Sequence, residues 1–239
     1  MANLITLARV LLLFVPILVW ARKTQLHWWG LDLAMVVLLA VVIFLDAVDG
    51  WVARKRHEDS ESGAMIDIAG DRIVELVLWV FFAVRRGPSG EPLVPYWVPV
   101  AIVTRTVLTD MVRSLAFQKG KTPFGKKTMM ETRWARELTA SRWSRASYGI
   151  LKAVAFCALG VVLALDRMGA HGGFASGFRV ATNVLVYATA VFAIVRGIPV
   201  LWDGRRYLFG SPPAAPPPPA APPPAAPPPA PLPPAPREG

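Results

Sequence analysis

One cysteine in 239 residues, Cys157, excludes an intramolecular disulfide, and its apolar setting (Ala-Val-Ala-Phe-Cys-Ala-Leu) reads as inert packing. Three scattered histidines and no second cysteine exclude the Cys/His spacings of a zinc site. Acidic residues are scarce, 16 against 26 Lys and Arg, which leaves a net charge of +10. That charge is distributed among short loops and no nucleic-acid module organises it, so no nucleic-acid partner is expected. Membrane topology and attraction to anionic lipid account for it instead. Proline is sparse before Ser211 and crowded after it, with 16 of the 23 in the last stretch.

Apolar residues are what the chain has in abundance: 54% of the total, with a mean hydropathy of +0.43, too apolar for an ordinary soluble domain of this length. A membrane-crossing helix needs about 20 consecutive apolar residues. Six such spans can be drawn, at 4–20, 31–53, 64–84, 97–117, 147–165 and 180–201. The first lacks a small-residue cleavage site before the next polar stretch and is read as a retained helix, not a signal peptide. Asn3, Thr6 and Arg9 give it a polar edge. With the N-terminus in the cytoplasm, the outer loops hold only pairs of basic residues: Arg22 and Lys23, Arg85 and Arg86, Arg167 and Arg179. The inner connections hold Arg54, Lys55 and Arg56, a dense set from Arg113 to Arg145, and Arg205 with Arg206. That asymmetry follows the positive-inside rule.

Four carboxylates interrupt this apolar pattern. Asp46 and Asp49 close the second span, and Asp67 and Asp71 lie in the third. An Asp at the centre of a spanning helix costs about 2.5–3.5 kcal/mol on insertion scales, so such residues usually face a polar site. On helices, the first pair is three residues apart and the second four, so each pair shares a face. The short connection makes the helices antiparallel neighbours. Four carboxylates converging there would repel one another unless cations sit among them, and hard oxygen donors point to Mg²⁺ or Mn²⁺.

The stretch Asp46-x-x-Asp49-Gly50-x-x-Ala53-Arg54, eight residues, then Gly63-x-x-x-Asp67-x-x-x-Asp71 resembles the signature of the CDP-alcohol phosphatidyltransferase family at all eight specified positions. The resemblance implies transfer of a phosphatidyl group from a CDP-lipid, CDP-diacylglycerol, to a hydroxyl acceptor with release of CMP. It implies metal ligation by Asp46, Asp49, Asp67 and Asp71, and gives Asp71 the further role of base toward the acceptor hydroxyl. Gly50 and Gly63 would let the nucleotide approach the backbone, or simply permit close helix packing. Ala53 belongs to the same CDP-lipid-binding motif. Arg54 is placed to pair with a phosphate oxygen, or to act with Lys55 and Arg56 as a topology anchor. Family members are often homodimers, which nothing in these residues shows.

The acceptor is sought in the fourth span. Arg105 lies in the apolar run Val-Ala-Ile-Val-Thr-Arg-Thr-Val-Leu, with Asp110 and Arg113 following. An Arg so placed needs a cavity or a partner, and Asp110 is the structural alternative. Arg105 and Arg113 are about 80° apart on a helix wheel, so both can look into one pocket. Lys119, Lys121, Lys126 and Lys127 crowd the next loop. Arg105, Arg113 and Lys121 are therefore the candidate acceptor-binding residues, suited to an alcohol that already carries phosphate. The Arg-x7-Arg pattern resembles phosphatidylglycerophosphate synthases, which use glycerol 3-phosphate. Thr106 stands where those enzymes usually have Glu, and Gly125-Lys126-Lys127-Thr128 is one residue shorter than their basic element. Inositol phosphate or another alcohol is the alternative acceptor. Residues 129–145, with Trp134, Trp143 and six charged residues, read as a helix in the membrane interface or as a cover over the acceptor site.

The expected molecule is thus all-α: a polytopic integral membrane enzyme with six transmembrane helices in residues 1–210 and a disordered Pro/Ala-rich tail in residues 211–239. It would sit in the cell membrane with its active site facing the cytoplasm. The tail's partner, if it has one, is not specified by its composition. A cation-binding transporter is the competing class, but it would place acids on several helices near mid-membrane and often show an internal repeat. Here the motif acids sit on one hairpin.

Overall fold

The computed structural model describes residues 2–22, 29–56, 61–121, 128–130, 132–170 and 172–209. Two units are distinguished, Met1–Phe209 and Gly210–Gly239, and the second, which contains the expected tail, lies outside the described residues. Six long helices carry the first unit: α1 (Ala2–Ala21), α2 (Trp29–Arg56), α3 (Glu61–Val84), α4 (Trp97–Gln118), α6 (Arg142–Arg167) and α7 (Gly173–Phe209). Between α4 and α6 comes a single turn, α5 (Arg133–Ala135), that runs into a π-helical turn, Arg136–Ala140. Among the described residues no strand forms, as an all-α chain requires.

Each drawn apolar span is helical, but the helices overrun them. The second continues through Arg54 to Arg56 and the third begins at Glu61, so the inner connection is shorter than the sequence suggested. Residues 129–145 are not one interfacial helix. Ser141 is extended (ψ 145°) and its Oγ accepts the Ser144 N–H at 3.2 Å, capping α6, so Arg142 and Arg145 belong to that helix. Two ends are closed by glycine in the left-handed region. Gly120 (φ +71°) and Gly169 (φ +68°) follow α4 and α6, where Lys121 N–H reaches Ala116 O and Ala170 N–H reaches Leu165 O, both at 3.0 Å.

Side-chain pairings fix the helix directions. Gly70 lies against Thr6 and Arg9 while Trp20 stacks on Phe81, so α1 and α3 run the same way. Glu75 meets Tyr148 and Trp79 meets Phe156, so α6 joins them. Opposed to α3 is α4, since Arg72 pairs with Asp110 and Leu93 N–H reaches back to Arg85 O. Running with α4 is α7: Arg105 packs over Gly197 and Val112 over Gly204, and a Cβ on either glycine would overlap those side chains. Finally α2 opposes α6, with Asp32 paired to Arg167 and Leu39 against Gly160. The result is an alternating up-and-down bundle.

Its interior is divided. Trp20, Trp79, Phe81, Phe82 and Phe156 form an aromatic core, with Trp79 and Phe156 edge-to-face at 4.8 Å. The larger polar group lies toward the opposite end, while at the aromatic end Asp32 pairs with Arg167 and Asp166 with Arg179. Outward faces are apolar: Leu7, Leu11, Phe14 and Leu18 on α1, and Val180, Val184, Val191 and Ile198 on α7, are all exposed. Among the described residues, the stretches Arg133–Arg167 and Gly173–Phe209 are long and apolar enough to cross a membrane, and Thr6–Ala21 and Trp29–Leu45 are shorter apolar helices.

Candidate active site

The polar end of the bundle is organised by α3. Four residues within two turns of it reach three other helices. Asp71 accepts from Arg9 Nη2 of α1 at 3.0 Å, with Arg9 only 1% exposed and the Asp71 side chain 42% exposed. Gly70 makes that approach possible, because a Cβ there would lie 2.5 Å from Thr6 Cγ2 and 3.3 Å from Arg9 Nη2. Arg72 turns the other way, to Asp110 of α4 at 3.1 Å, and Asp110 also takes Arg113 Nη1 at 3.1 Å. One turn on, Glu75 is 2% exposed and holds Tyr148 Oη at 2.5 Å and Lys152 Nζ at 3.0 Å, both from α6, with Arg72 at 3.6 Å. A buried carboxylate is tolerated only when paired and hydrogen-bonded, and Glu75 meets that condition with both oxygens.

Arg105 differs from its neighbours. It is 8% exposed, and its Nε and Nη1 are buried with no hydrogen-bond partner among the described residues. The structural alternative, a pairing with Asp110, is not realised: Asp110 is shared by Arg72 and Arg113. Arg105 nonetheless lies within electrostatic reach of Arg72, Glu75, Asp110 and Tyr148. Arg196 of α7 completes the group, its guanidinium 5.1 Å from the Tyr148 ring centroid and within reach of Arg105 and Arg72. Thr106, beside Arg105, is buried as well. Five cations (Arg72, Arg105, Arg113, Lys152 and Arg196) thus surround two carboxylates, Glu75 and Asp110.

A sequence model of the family described as CDP-alcohol phosphatidyltransferase matches residues 1–198. The chain belongs to that family. It is also similar to CDP-diacylglycerol–glycerol-3-phosphate 3-phosphatidyltransferase 2 of Arabidopsis thaliana, 33% identical over 129 residues, covering 50% of this chain and 52% of that protein. The chain therefore spans about half the length of the curated relative it matches.

The eight specified positions of the phosphatidyltransferase motif fall on helical backbone. Asp46, Asp49, Gly50, Ala53 and Arg54 lie on α2, and Gly63, Asp67 and Asp71 on α3. The spacings of three and four residues within the two acid pairs put each pair on one helix face. The side chains of all these residues except Asp71 lie outside what is described, so the expected convergence of four carboxylates falls there too. As a donor set, four carboxylates suit a hard divalent cation and no softer metal.

Of the acceptor candidates, Arg105 and Arg113 are brought together around the Arg72–Asp110 pair. Lys121 is exposed beyond the end of α4, its N–H on Ala116 O, and makes no described contact with them. Sequence reading gave Arg9 only the role of a polar edge, yet the folded chain buries it against Asp71. The available signal was an Arg one turn after Thr6 inside an apolar helix. Arg196 has no place in the sequence reading, although it too interrupts an apolar run (Val-Phe-Ala-Ile-Val-Arg).

Proposed function

We propose that this phosphatidyltransferase family member moves the phosphatidyl group of a CDP-lipid, CDP-diacylglycerol, onto the hydroxyl of a phosphorylated polyol, with glycerol 3-phosphate as first choice, and releases CMP. The observation that carries the acceptor is the excess of cations around two carboxylates, above all Arg105, buried with two guanidinium nitrogens that have no partner among the described residues. A buried cation without a partner is costly, and a phosphate group supplies the acceptor oxygens that guanidinium forks match. A neutral alcohol would leave that charge uncompensated. The similarity to a plant enzyme whose name specifies glycerol 3-phosphate points the same way.

In this reading Asp71 takes the proton of the acceptor hydroxyl, with Arg9 holding Oδ1 and so fixing the carboxylate's direction. The freed oxygen attacks the phosphatidyl phosphorus. The bond from that phosphorus to the CMP phosphate oxygen breaks, and CMP leaves with the electron pair. Arg105, Arg113 and Arg196 hold the acceptor's own phosphate away from the reacting one, so the bound geometry presents the hydroxyl. Gly50, Ala53, Arg54 and Gly63 lie along the CDP-lipid side, and Lys121 attracts the acceptor from the loop. Mg²⁺ or Mn²⁺ held by Asp46, Asp49, Asp67 and Asp71 would neutralise pyrophosphate charge.

The same reading makes the six long helices six membrane spans, with the polar end at the cytoplasmic face. Support comes from their alternating directions, the apolar outward faces and the excess of basic residues at that end.

The test is CMP release from CDP-diacylglycerol by the purified chain with Mg²⁺, with glycerol 3-phosphate, inositol phosphate, inositol and serine supplied separately. Release with a phosphorylated acceptor, abolished by Asp71→Asn, is expected. Release with inositol or serine alone would overturn the acceptor assignment, and release unaffected by Asp71→Asn would overturn the mechanism.

A further inference from the structure

Three polar anchors on α7 grip the segment between α4 and α6. Arg206 Nη2 donates to Met129 O at 2.8 Å. The Asp203 carboxylate accepts both the backbone N–H of Thr132 (3.1 Å) and its hydroxyl (3.0 and 3.2 Å). Arg196 donates from Nε to Leu138 O at 3.4 Å and from Nη2 to Thr139 O at 3.3 Å. Positions 196 and 203 are seven apart, two turns along one face of the helix. Beneath the segment, Met129, Met130 and Ala135 are buried against Val112, Ala116 and Val200, a second apolar cluster separate from the aromatic core.

The far end of this segment is where the anchors meet the site. The last carbonyls of a helical turn have no partner within it, and a π-helical turn exposes them at its C-terminal end. Two of these carbonyls, on Leu138 and Thr139, go to Arg196. The same guanidinium lies over the Tyr148 ring, and Tyr148 in turn donates to Glu75, one turn along α3 from Asp71. A continuous set of contacts therefore leads from Thr132 through the π-turn and Arg196 to the cationic pocket.

We propose that residues 128–130 and 132–140 form a strap over the acceptor pocket, and that Asp203 and Thr132 are positioning residues for acceptor binding. By pinning the strap, they keep the Leu138 and Thr139 carbonyls on Arg196 and so hold that guanidinium at the pocket wall. The role is exerted on capture of the phosphorylated acceptor; the CDP-lipid side is untouched. The inference rests on the phosphate-pocket reading of the preceding subsection.

Thr132→Val removes one hydroxyl at nearly constant volume, Thr132→Ser keeps it, and Asp203→Asn removes the charge. Steady-state CMP release by the full chain gives KM for glycerol 3-phosphate, KM for CDP-diacylglycerol and kcat, and amide hydrogen exchange reports on residues 129–140. Loss of a hydrogen bond to a charged group predicts that Thr132→Val and Asp203→Asn raise the acceptor KM about tenfold. The change in kcat is smaller, the lipid KM stays in place, and exchange in the strap accelerates. Thr132→Ser retains the wild-type acceptor KM.

Faster exchange with an unchanged acceptor KM overturns the proposal, as does a fall in kcat alone. Wild-type protein that releases no CMP with any phosphorylated acceptor overturns the proposed function and the strap's acceptor role together. Wild-type activity with an indifferent acceptor KM in Thr132→Val overturns the strap alone.

Discussion

Arg9 and Asp71, 62 residues apart in sequence, form an ion pair at 3.0 Å in which the arginine is buried and the carboxylate opens toward the site. The arginine thus acts on the aspartate from behind and has no need to touch a substrate. Arg9→Gln is expected to lower kcat by about 10–100-fold, the worth of a charge-assisted hydrogen bond of about 1.5–3 kcal/mol, with a smaller change in either KM. Initial rates of CMP release at saturating substrates check this, and an unaltered kcat would mean Asp71 needs no such support.

Gly70 is expected to tolerate no side chain. A methyl group there would stand 2.5 Å from Thr6 Cγ2, and overpacking of this kind costs about 1–3 kcal/mol. Gly70→Ala should therefore lower the thermal unfolding temperature in detergent. Thr6→Ala, which removes the clashing methyl, should recover most of the loss when combined with it, because neighbouring sites couple. Additive effects of the two changes would contradict the contact.

Arg105→Gln should act on the acceptor more than on the fold, since Arg105 makes no hydrogen bond through Nε or Nη1 among the described residues and Gln keeps the Cγ and Cδ that lie over Gly197. Arg105→Gln is expected to raise the KM for glycerol 3-phosphate at least tenfold, corresponding to about 1.4 kcal/mol or more. Arg105→Lys should rescue only in part, because an ammonium cannot reproduce a bidentate fork. Lys121→Ala should have a smaller effect than either, its side chain being exposed beyond α4.

Glu75 makes the opposite prediction. Removing its charge leaves Lys152 and Arg72 facing each other without the carboxylate that separates them. Breaking a buried pair in this way costs about 3–5 kcal/mol. Glu75→Gln should then unfold at markedly lower temperature than Tyr148→Phe, which loses one hydrogen bond. Equal unfolding temperatures for the two variants would show that the charge is compensated elsewhere.

Chelation of divalent cations should abolish CMP release, and added Mg²⁺ or Mn²⁺ should restore it. Asp46→Asn or Asp67→Asn should shift the metal concentration at half-maximal rate upward, since each removes a carboxylate from the proposed metal site. Activity that persists after exhaustive chelation would sink the metal assignment.

What the sequence disclosed follows its short-range regularities. Apolar runs located all six long helices, and the family motif located Asp71. The Arg72–Glu75 contact, at 3.6 Å, is of the same short-range kind, its partners three residues apart on α3. The pairings that assemble the site are of another kind. Arg9 with Asp71, Glu75 with Tyr148 and Lys152, and Asp203 with Thr132 join residues 62 to 77 positions apart. They depend on which helix faces meet, and no periodicity along one helix encodes that. The same limit explains why composition left 129–145 open between an interfacial helix and a cover over the acceptor site: its apolar residues pack on Val112, Ala116 and Val200 and Thr132 pairs with Asp203, contacts that only the folded chain brings together.

Arg105 and Val112 on α4 stand opposite Gly197 and Gly204 on α7, and both intervals are seven residues. Two notches at matched intervals make the helices mesh like a key in its lock. The height of Arg105 in the bundle is consequently dictated by a helix nearly a hundred residues away. One residue inserted in α4 between positions 105 and 112 would turn everything beyond it by about 100° and unseat one notch or the other. Only an insertion of about two full turns, seven residues, in both helices would bring each notch back to its facing side. The lengths of α4 and α7 across this interval are therefore free to change only together and only by whole turns.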